Sequence, residues 1–309
     1  MMTTASLTRR TLLAATATLL ATPRAALAQA VPWSAGTEPA KLKLPEGATD
    51  CHHHIYDPKY PLAPQVTNRP GDALASDYRL LLKRLGIKRH VMVQASVHGT
   101  DATCLIDMLA EFGSDTRGVA MVQANVSDAE LKRLHDKGVR GLRFMPQVAW
   151  LPNLEAMESL ARRVAPMGWC IQIQAAADYF VSIKDVLDRI QAPLIYEHAA
   201  SIPNPGGVNH PAFTDILARM KAKRAWFRIS GLNYITKVGP PTYADAGEMV
   251  KAFVAQAPEQ VLWASGWPHY DKVNLPDDAQ LLDLLAEWAP DPAVRKQILV
   301  DSPARLFHF

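Results

Sequence analysis

Cysteine is scarce in this 309-residue chain: Cys51, Cys104 and Cys170 are scattered, each inside an apolar segment. An odd, sparse count excludes a disulfide framework. Long hydrophobic runs are missing too. The apolar stretch from Thr11 to Ala21 is too short, and too rich in Ala and Thr, to cross a bilayer. No glycine-rich phosphate turn follows the first apolar run, and Gly206-Gly207 stands alone in a loop, which argues against an open doubly wound nucleotide fold. Finally, the main body has no surplus charge. The formal +3 comes entirely from residues 1–30, which hold Arg9, Arg10 and Arg24 and no acid. With no basic patch left, neither nucleic acid nor an anionic membrane is an expected partner.

What remains is 49% hydrophobic and 20% charged, enough to build a large core. The first 30 residues read as an export signal. Thr8-Arg9-Arg10-Thr11-Leu12-Leu13 opens the apolar run, and Ala26-Leu27-Ala28 and Ala28-Gln29-Ala30 are small-x-small cleavage sites. The paired arginines point to the twin-arginine export machinery and a periplasmic or secreted destination. A Pro-spaced leader, residues 31–47, precedes a single domain over residues 48–309.

Short apolar runs then alternate with amphipathic ones. The runs expected as strands are Thr49–Ile55, His90–Ala95, Val119–Gln123, Val139–Phe144, Cys170–Gln174, Leu194–His198, Trp226–Ser230 and Val261–Ala264. Helical patterns lie between them, Thr103–Phe112 and Phe180–Ile190 among them, several with legible ends: Ser127 and Glu130 form a capping box, and Gly86, Gly113, Gly138 and Gly168 act as stops. Helix-to-strand joints are short. Strand-to-helix joints are long and rich in Pro, Gly and Asn. Eight such units predict a (β/α)8 TIM barrel, with its site at the strand C-termini.

The strand ends supply a short set of candidates. In Asp50-Cys51-His52-His53-His54, strand alternation puts His52 and His54 on one face and His53 on the other. Two imidazoles at one strand end make a metal half-site or a pair that polarises a substrate oxygen. His198 ends the sixth run. Arg143, beside Met145-Pro146, is placed to grip a carboxylate through two parallel hydrogen bonds, or else to serve as an ion pair at the barrel floor. Gln172 and Gln174 follow on the fifth run, and Ser265-Gly266-Trp267-Pro268-His269 closes the eighth.

Asp50-Cys51-His52-His53-His54-Ile55-Tyr56-Asp57, Gly141-Leu142-Arg143-Phe144, Glu197-His198 and Trp267-Pro268-His269 together resemble the amidohydrolase superfamily. The branch that looks nearest holds 2-pyrone-4,6-dicarboxylate lactonase, sulfomuconolactone hydrolase and galactarolactone isomerase. The resemblance covers residues 45 to 309. It implies a hydrolase of a lactone or related ester of a small carboxylic acid, with a lactone isomerase or a weak binder of acidic ligands as alternatives. His52, His54 and His198 would polarise the carbonyl or hold one divalent metal such as zinc, a metal-free site being the expectation. Arg143, Gln174 and Tyr234 would contact substrate, Tyr234 standing where the dicarboxylate lactonase carries a further arginine. Gly266 occupies the position at which the family usually carries a catalytic Asp. That leaves His269 as the expected stand-in base, and it implies that Gly266→Asp would raise hydrolysis about a hundredfold or more.

Overall fold

A computed structural model describes residues 30–270 and 275–309. All but the last residue of the expected export signal lies outside the described residues. Eight strands follow one another around a sheet whose neighbours are all parallel: β1 (Thr49–His53), β2 (Arg89–Val93), β3 (Thr116–Ala120), β4 (Val139–Phe144), β5 (Cys170–Ile173), β6 (Leu194–Tyr196), β7 (Ala225–Ile229) and β8 (Val261–Trp263). The ends of this sheet meet just past β8. There the Gly266 N–H donates to the His52 carbonyl at 3.0 Å and the His54 N–H to the Trp267 carbonyl at 2.9 Å. The result is a TIM barrel that closes at the strand ends bearing the histidines.

Side-chain parity builds the two cores. Leu142 and Phe144, Ile171 and Ile173, Leu194 and Tyr196, and Phe227 and Ile229 face outward and pack under the helices. Inward-facing Val91, Val93, Val119, Cys170, Ile195, Trp226 and Leu262 fill the barrel from below, where Leu306 and Phe307 plug it. Above that apolar layer, the same inward parity places Arg143, Gln172, Glu197 and Arg228. Such polar groups survive burial only by bonding one another.

Two sequence expectations shift. The third strand starts earlier than its apolar run: it covers Thr116–Ala120, pairing His90 with Thr116 through Val93 with Val119. Its polar start is held because Thr116 Oγ1 lies 3.0 Å from His90 Nε2, while Arg117 donates to the His308 carbonyl. The helix expected at Phe180–Ile190 forms as two pieces, Ala177–Ser182 and Lys184–Arg189, that meet at Ile183. Elsewhere Thr103–Phe112 is observed as read. Ser127 caps its helix by accepting from the Glu130 N–H at 3.1 Å, although the Glu130 carboxylate turns to Arg133 instead of completing the box.

The leader has neither helix nor strand but is firmly tied down. The Lys41 and Leu42 N–H groups donate to Asp283 Oδ1 at 2.7 and 2.8 Å, and Arg84 donates to the Glu38 and Gly36 carbonyls while pairing with Asp277.

Candidate active site

A cavity of about 370 Å³ opens at the C-terminal end of the barrel. It is lined by His54, Tyr56, Ser96, Arg143, Met145, Gln174, His198, Ser201, Tyr234, Gly266, Pro268 and Tyr270. Seven of the eight strand ends and the loops beyond them contribute, the arrangement in which barrel enzymes assemble reactive groups.

β1 supplies the first pair. Its ladder register shifts between Asp50 and His53, so Cys51 packs in the inner core while its neighbour His52 also turns inward, toward Gln172. His53 points the other way, stacked on Tyr78 at 3.6 Å between ring centroids and 2.9 Å from His90 Nδ1. Asp50 anchors the bend: its carboxylate accepts from the His52 and Ser265 N–H groups and from the Ser265 and Tyr78 hydroxyls. Burial nevertheless pushes its pKa up to about 6.

The hydrogen bonds settle the histidine protons. His54 Nδ1 lies 2.7 Å from the Val93 carbonyl, which can only accept, so Nδ1 carries the hydrogen. Nε2 of neutral His54 is then an acceptor. His52 Nε2, 3.0 Å away, must be the donor. His52 Nδ1 in turn accepts from the Gln172 amide at 3.3 Å. Both imidazoles are kept neutral. Burial and then Arg228 lower the His52 pKa, and burial followed by the Arg143 charge brings His54 to about 3.

Beneath the histidines sits a charged floor. Arg143 Nε and Nη2 donate to the two oxygens of Glu197 at 2.8 and 2.9 Å, and Nη2 also donates to Gln174 Oε1 at 2.5 Å. Gln172 donates to Glu197 at 2.5 Å and accepts from Arg228 Nη1 at 2.9 Å. Arg228 Nη2 is 3.8 Å from Glu197. Burial alone would raise the Glu197 pKa, but the Arg143 charge and hydrogen bonds, reinforced by Arg228, win and hold it well below the usual range. Two guanidiniums therefore share one carboxylate in a site where all three groups are at least 96% buried.

His198 stands beside this floor. Its Nε2 is 3.5 Å from Glu197 Oε2 and its Nδ1 3.5 Å from Ser230 Oγ. Burial lowers its pKa to about 4, against the opposing pull of Glu197. The backbone here is strained: His198, Ala199, Ala200 and Ser201 all have φ between 49° and 56°. Left-handed backbone costs non-glycine residues roughly 1–2 kcal/mol each, and such strain gathers where a side chain must be aimed. Gly231 makes the room: a Cβ there would lie 2.7 Å from that of His198.

The remaining expected residues divide. Gln174, Gly266 and Tyr234 are on the cavity wall, Tyr234 at its rim with its ring 6.0 Å from His198. Gly266 has φ +75°, and a Cβ there would meet only Ser230 Cβ at 3.8 Å. Two expectations need correction. Arg143 reaches the cavity, but the two donors that would clamp a substrate carboxylate are already engaged by Glu197; only Nη1 is left, with a 3.4 Å contact to the Gln94 carbonyl. His269 is not on the cavity wall. It is 1% exposed with Nε2 3.0 Å from Asp278 Oδ1, because the turn at Trp267-Pro268 sends Pro268 and Tyr270 to the cavity and His269 behind them. The sequence reading gave no role to Glu197 or Arg228. Arg228 was findable: a charge inside Trp226-Phe227-Arg228-Ile229 shares inward parity with Ser230.

His52, Glu197 and His198 offer ligand atoms within 4.8 Å of one another, a possible metal site. The chemistry of the set fits a divalent cation poorly. Its one carboxylate is already covered by Arg143, Arg228 and Gln172, and two neighbouring guanidiniums repel a further cation.

The family profile described as Amidohydrolase matches residues 49–309. A 2-pyrone-4,6-dicarboxylate hydrolase of Comamonas testosteroni is 33% identical over 289 residues, covering 89% of this chain and 94% of its own. A 4-sulfomuconolactone hydrolase of Rhizobium radiobacter is 34% identical over 281 residues, covering 88% and 94%. Among solved structures, a ligand-free Agrobacterium tumefaciens protein superimposes with a TM-score of 0.79 at 27% identity, over 86% of this chain and 97% of that one.

Proposed function

Since this chain belongs to the amidohydrolase family, we propose that it hydrolyses a lactone or related ester of a small carboxylic acid. The observation that carries the reading is the pairing, in one cavity, of a cationic floor with histidines held neutral. The relatives named for lactone hydrolysis support the substrate class.

In this reading the scissile carbonyl oxygen points at the floor. Arg143 Nη1, the guanidinium nitrogen that Glu197 leaves free, donates to it, with His52 and His54 held neutral beside it, and opposes the negative charge that grows as the carbon becomes tetrahedral. Donors fixed before the reaction, on buried groups, are worth most there. Neutral His198 takes the proton from the attacking water. Glu197, 3.5 Å away, stabilises the imidazolium that forms, and Ser230 orients the ring. His198 then returns the proton to the ring oxygen as the C–O bond breaks. No step is routed through a metal, and the strand-eight carboxylate that glycine replaces has no assigned role. The test is turnover of a lactone panel, before and after chelator, by wild type and by His198→Asn. Turnover by wild type that survives His198→Asn within threefold would overturn the assignment of the base.

The paired arginines at Arg9 and Arg10 support a further element of the reading, export by the twin-arginine route to the periplasm or beyond. Lysine at both positions should leave the protein in the cytoplasm; unchanged recovery outside it would remove this element.

A further inference from the structure

One wall of the cavity is aromatic, and it is braced from outside. Tyr56 and Tyr270 line the cavity with ring centroids 5.0 Å apart, edge to face, and share a side-chain hydrogen bond. Behind Tyr270, and outside the cavity, lies Trp33 of the leader, again at 5.0 Å. Its indole Nε1–H donates to the Asp72 carbonyl at 2.7 Å, and its ring rests so closely on Gly71 that a Cβ there would lie 2.5 Å from it. Next to it, the Pro32 carbonyl accepts from Trp267 Nε1–H at 2.7 Å, the Trp33 carbonyl from the His269 N–H at 3.4 Å, and the Ala35 N–H donates to the Pro276 carbonyl at 2.9 Å.

These contacts fall on two loops. Asp72 and Gly71 belong to the loop after β1, which returns to Tyr56 through paired backbone hydrogen bonds between Tyr56 and Ala73. Trp267, His269 and Tyr270 belong to the loop after β8. The leader spans the seam between them. Aromatic edge-to-face pairs add roughly 0.5–1.5 kcal/mol beyond burial, and an indole also fixed by its N–H holds one geometry. From this we propose that Trp33 is a positioning residue for substrate: it sets Tyr270, and through Tyr270 it sets Tyr56 and the cavity wall that faces Arg143 and His198. The leader is then part of the binding site though none of it touches the cavity.

The inference rests on the proposed lactone hydrolysis for its kinetic readout but not for its structural one. In ligand-free protein, Trp33→Ala should speed amide hydrogen exchange in segments 56–73 and 265–270 and leave the strands unchanged; Trp33→Phe, which keeps a ring, should restore most of the protection. Kinetically, Trp33→Ala should raise KM tenfold or more with kcat within threefold. Tyr270→Ala should do the same, and the double variant should be no worse than Tyr270→Ala alone, as expected if one acts through the other. Additive KM effects, or unchanged exchange in both loops, would overturn the proposal. If wild type turns over no lactone, the functional reading falls while the exchange measurement still decides whether Trp33 holds the wall.

Discussion

The two sides of β1 carry two buried histidine clusters made of the same chemistry. On the inner side, His52 and His54 touch Nε2 to Nε2; on the outer side, His53 meets His90, which meets Thr116. Burial lowers the pKa of all four histidines. Yet the outer cluster is sealed between β1, β2 and the helix at Ala75–Leu85, packed on Tyr78 and Phe112, and among the described residues no charged group is hydrogen-bonded to it. The inner cluster faces a cavity and rests on Arg143, Glu197 and Arg228. A set of histidines is therefore not a site by itself. Space for a ligand and a field that acts on it make the difference.

The largest effect should come from removing the centre of that field. Glu197→Gln leaves two buried guanidiniums without a counter-charge, and breaking a buried pair typically costs about 3–5 kcal/mol. The denaturant midpoint should drop accordingly, with activity lost. A stable Glu197→Gln protein would show that the charged floor matters far less than the contrast with the outer cluster implies.

Next is the base. His198→Asn should cut kcat by about a hundred- to ten-thousandfold, the usual scale for a general base, with the midpoint little changed. For wild type, kcat/KM should rise with pH through about 4 and then level, because His198 acts only when unprotonated. A rise centred near 6 or above would point to a different group.

The outer cluster gives the opposite signature. His53→Ala should cost about 2–4 kcal/mol, as large-to-small core changes do, with kcat/KM within threefold in the folded fraction; His52→Ala should do the reverse. Equal loss of activity for both would erase the distinction between the two sides.

Acid should weaken both clusters together. A histidine whose folded pKa lies below its unfolded value of 6.5 binds its proton more readily when unfolded. Stability is thus full above pH 6.5 and falls as pH drops toward the folded value, about 3 for His54 and His90 and about 4 for His198. Each contributes up to about 1.4 kcal/mol per pH unit in that window. Melting at pH 7, 6, 5 and 4 reads the slope, and His90→Phe should remove about one proton from it.

The smallest change should be Gly266→Asp. There is space for a Cβ, but φ of +75° costs about 1–2 kcal/mol for a side chain. On the proposed role of His198 as base, hydrolysis should change less than tenfold, short of the hundredfold gain expected from the resemblance. A hundredfold gain would return the base to strand eight.

The barrel was legible because its signals are periodic: apolar runs of strand length, capped helices between them, and long loops on one side. His52, His54 and His198 were legible because polar side chains at the ends of apolar runs stand out, and strand parity separates them from His53. Arg143 could be located from the same signal but not assigned, since its partner Glu197 comes from another strand 54 positions later. His269 was misplaced because parity lapses once a strand becomes a loop: the turn at Trp267-Pro268 decides which side each residue takes. Trp33 lay in a stretch with no period at all, so nothing in the sequence tied it to Tyr270.

The seam between the first and last strands also fixes an order of assembly. Trp267 reaches Pro32 across 235 positions and Leu42 reaches Asp283 across 241. A growing chain can pair β1 with β2 early, but the walls around His52 and His54 wait for residues near its far end. A truncated product lacking the last strand and its loop would retain most of the barrel's hydrophobic surface and lack the contacts that complete the cavity. The cavity wall is complete only when the leader and the loop after β8 have met.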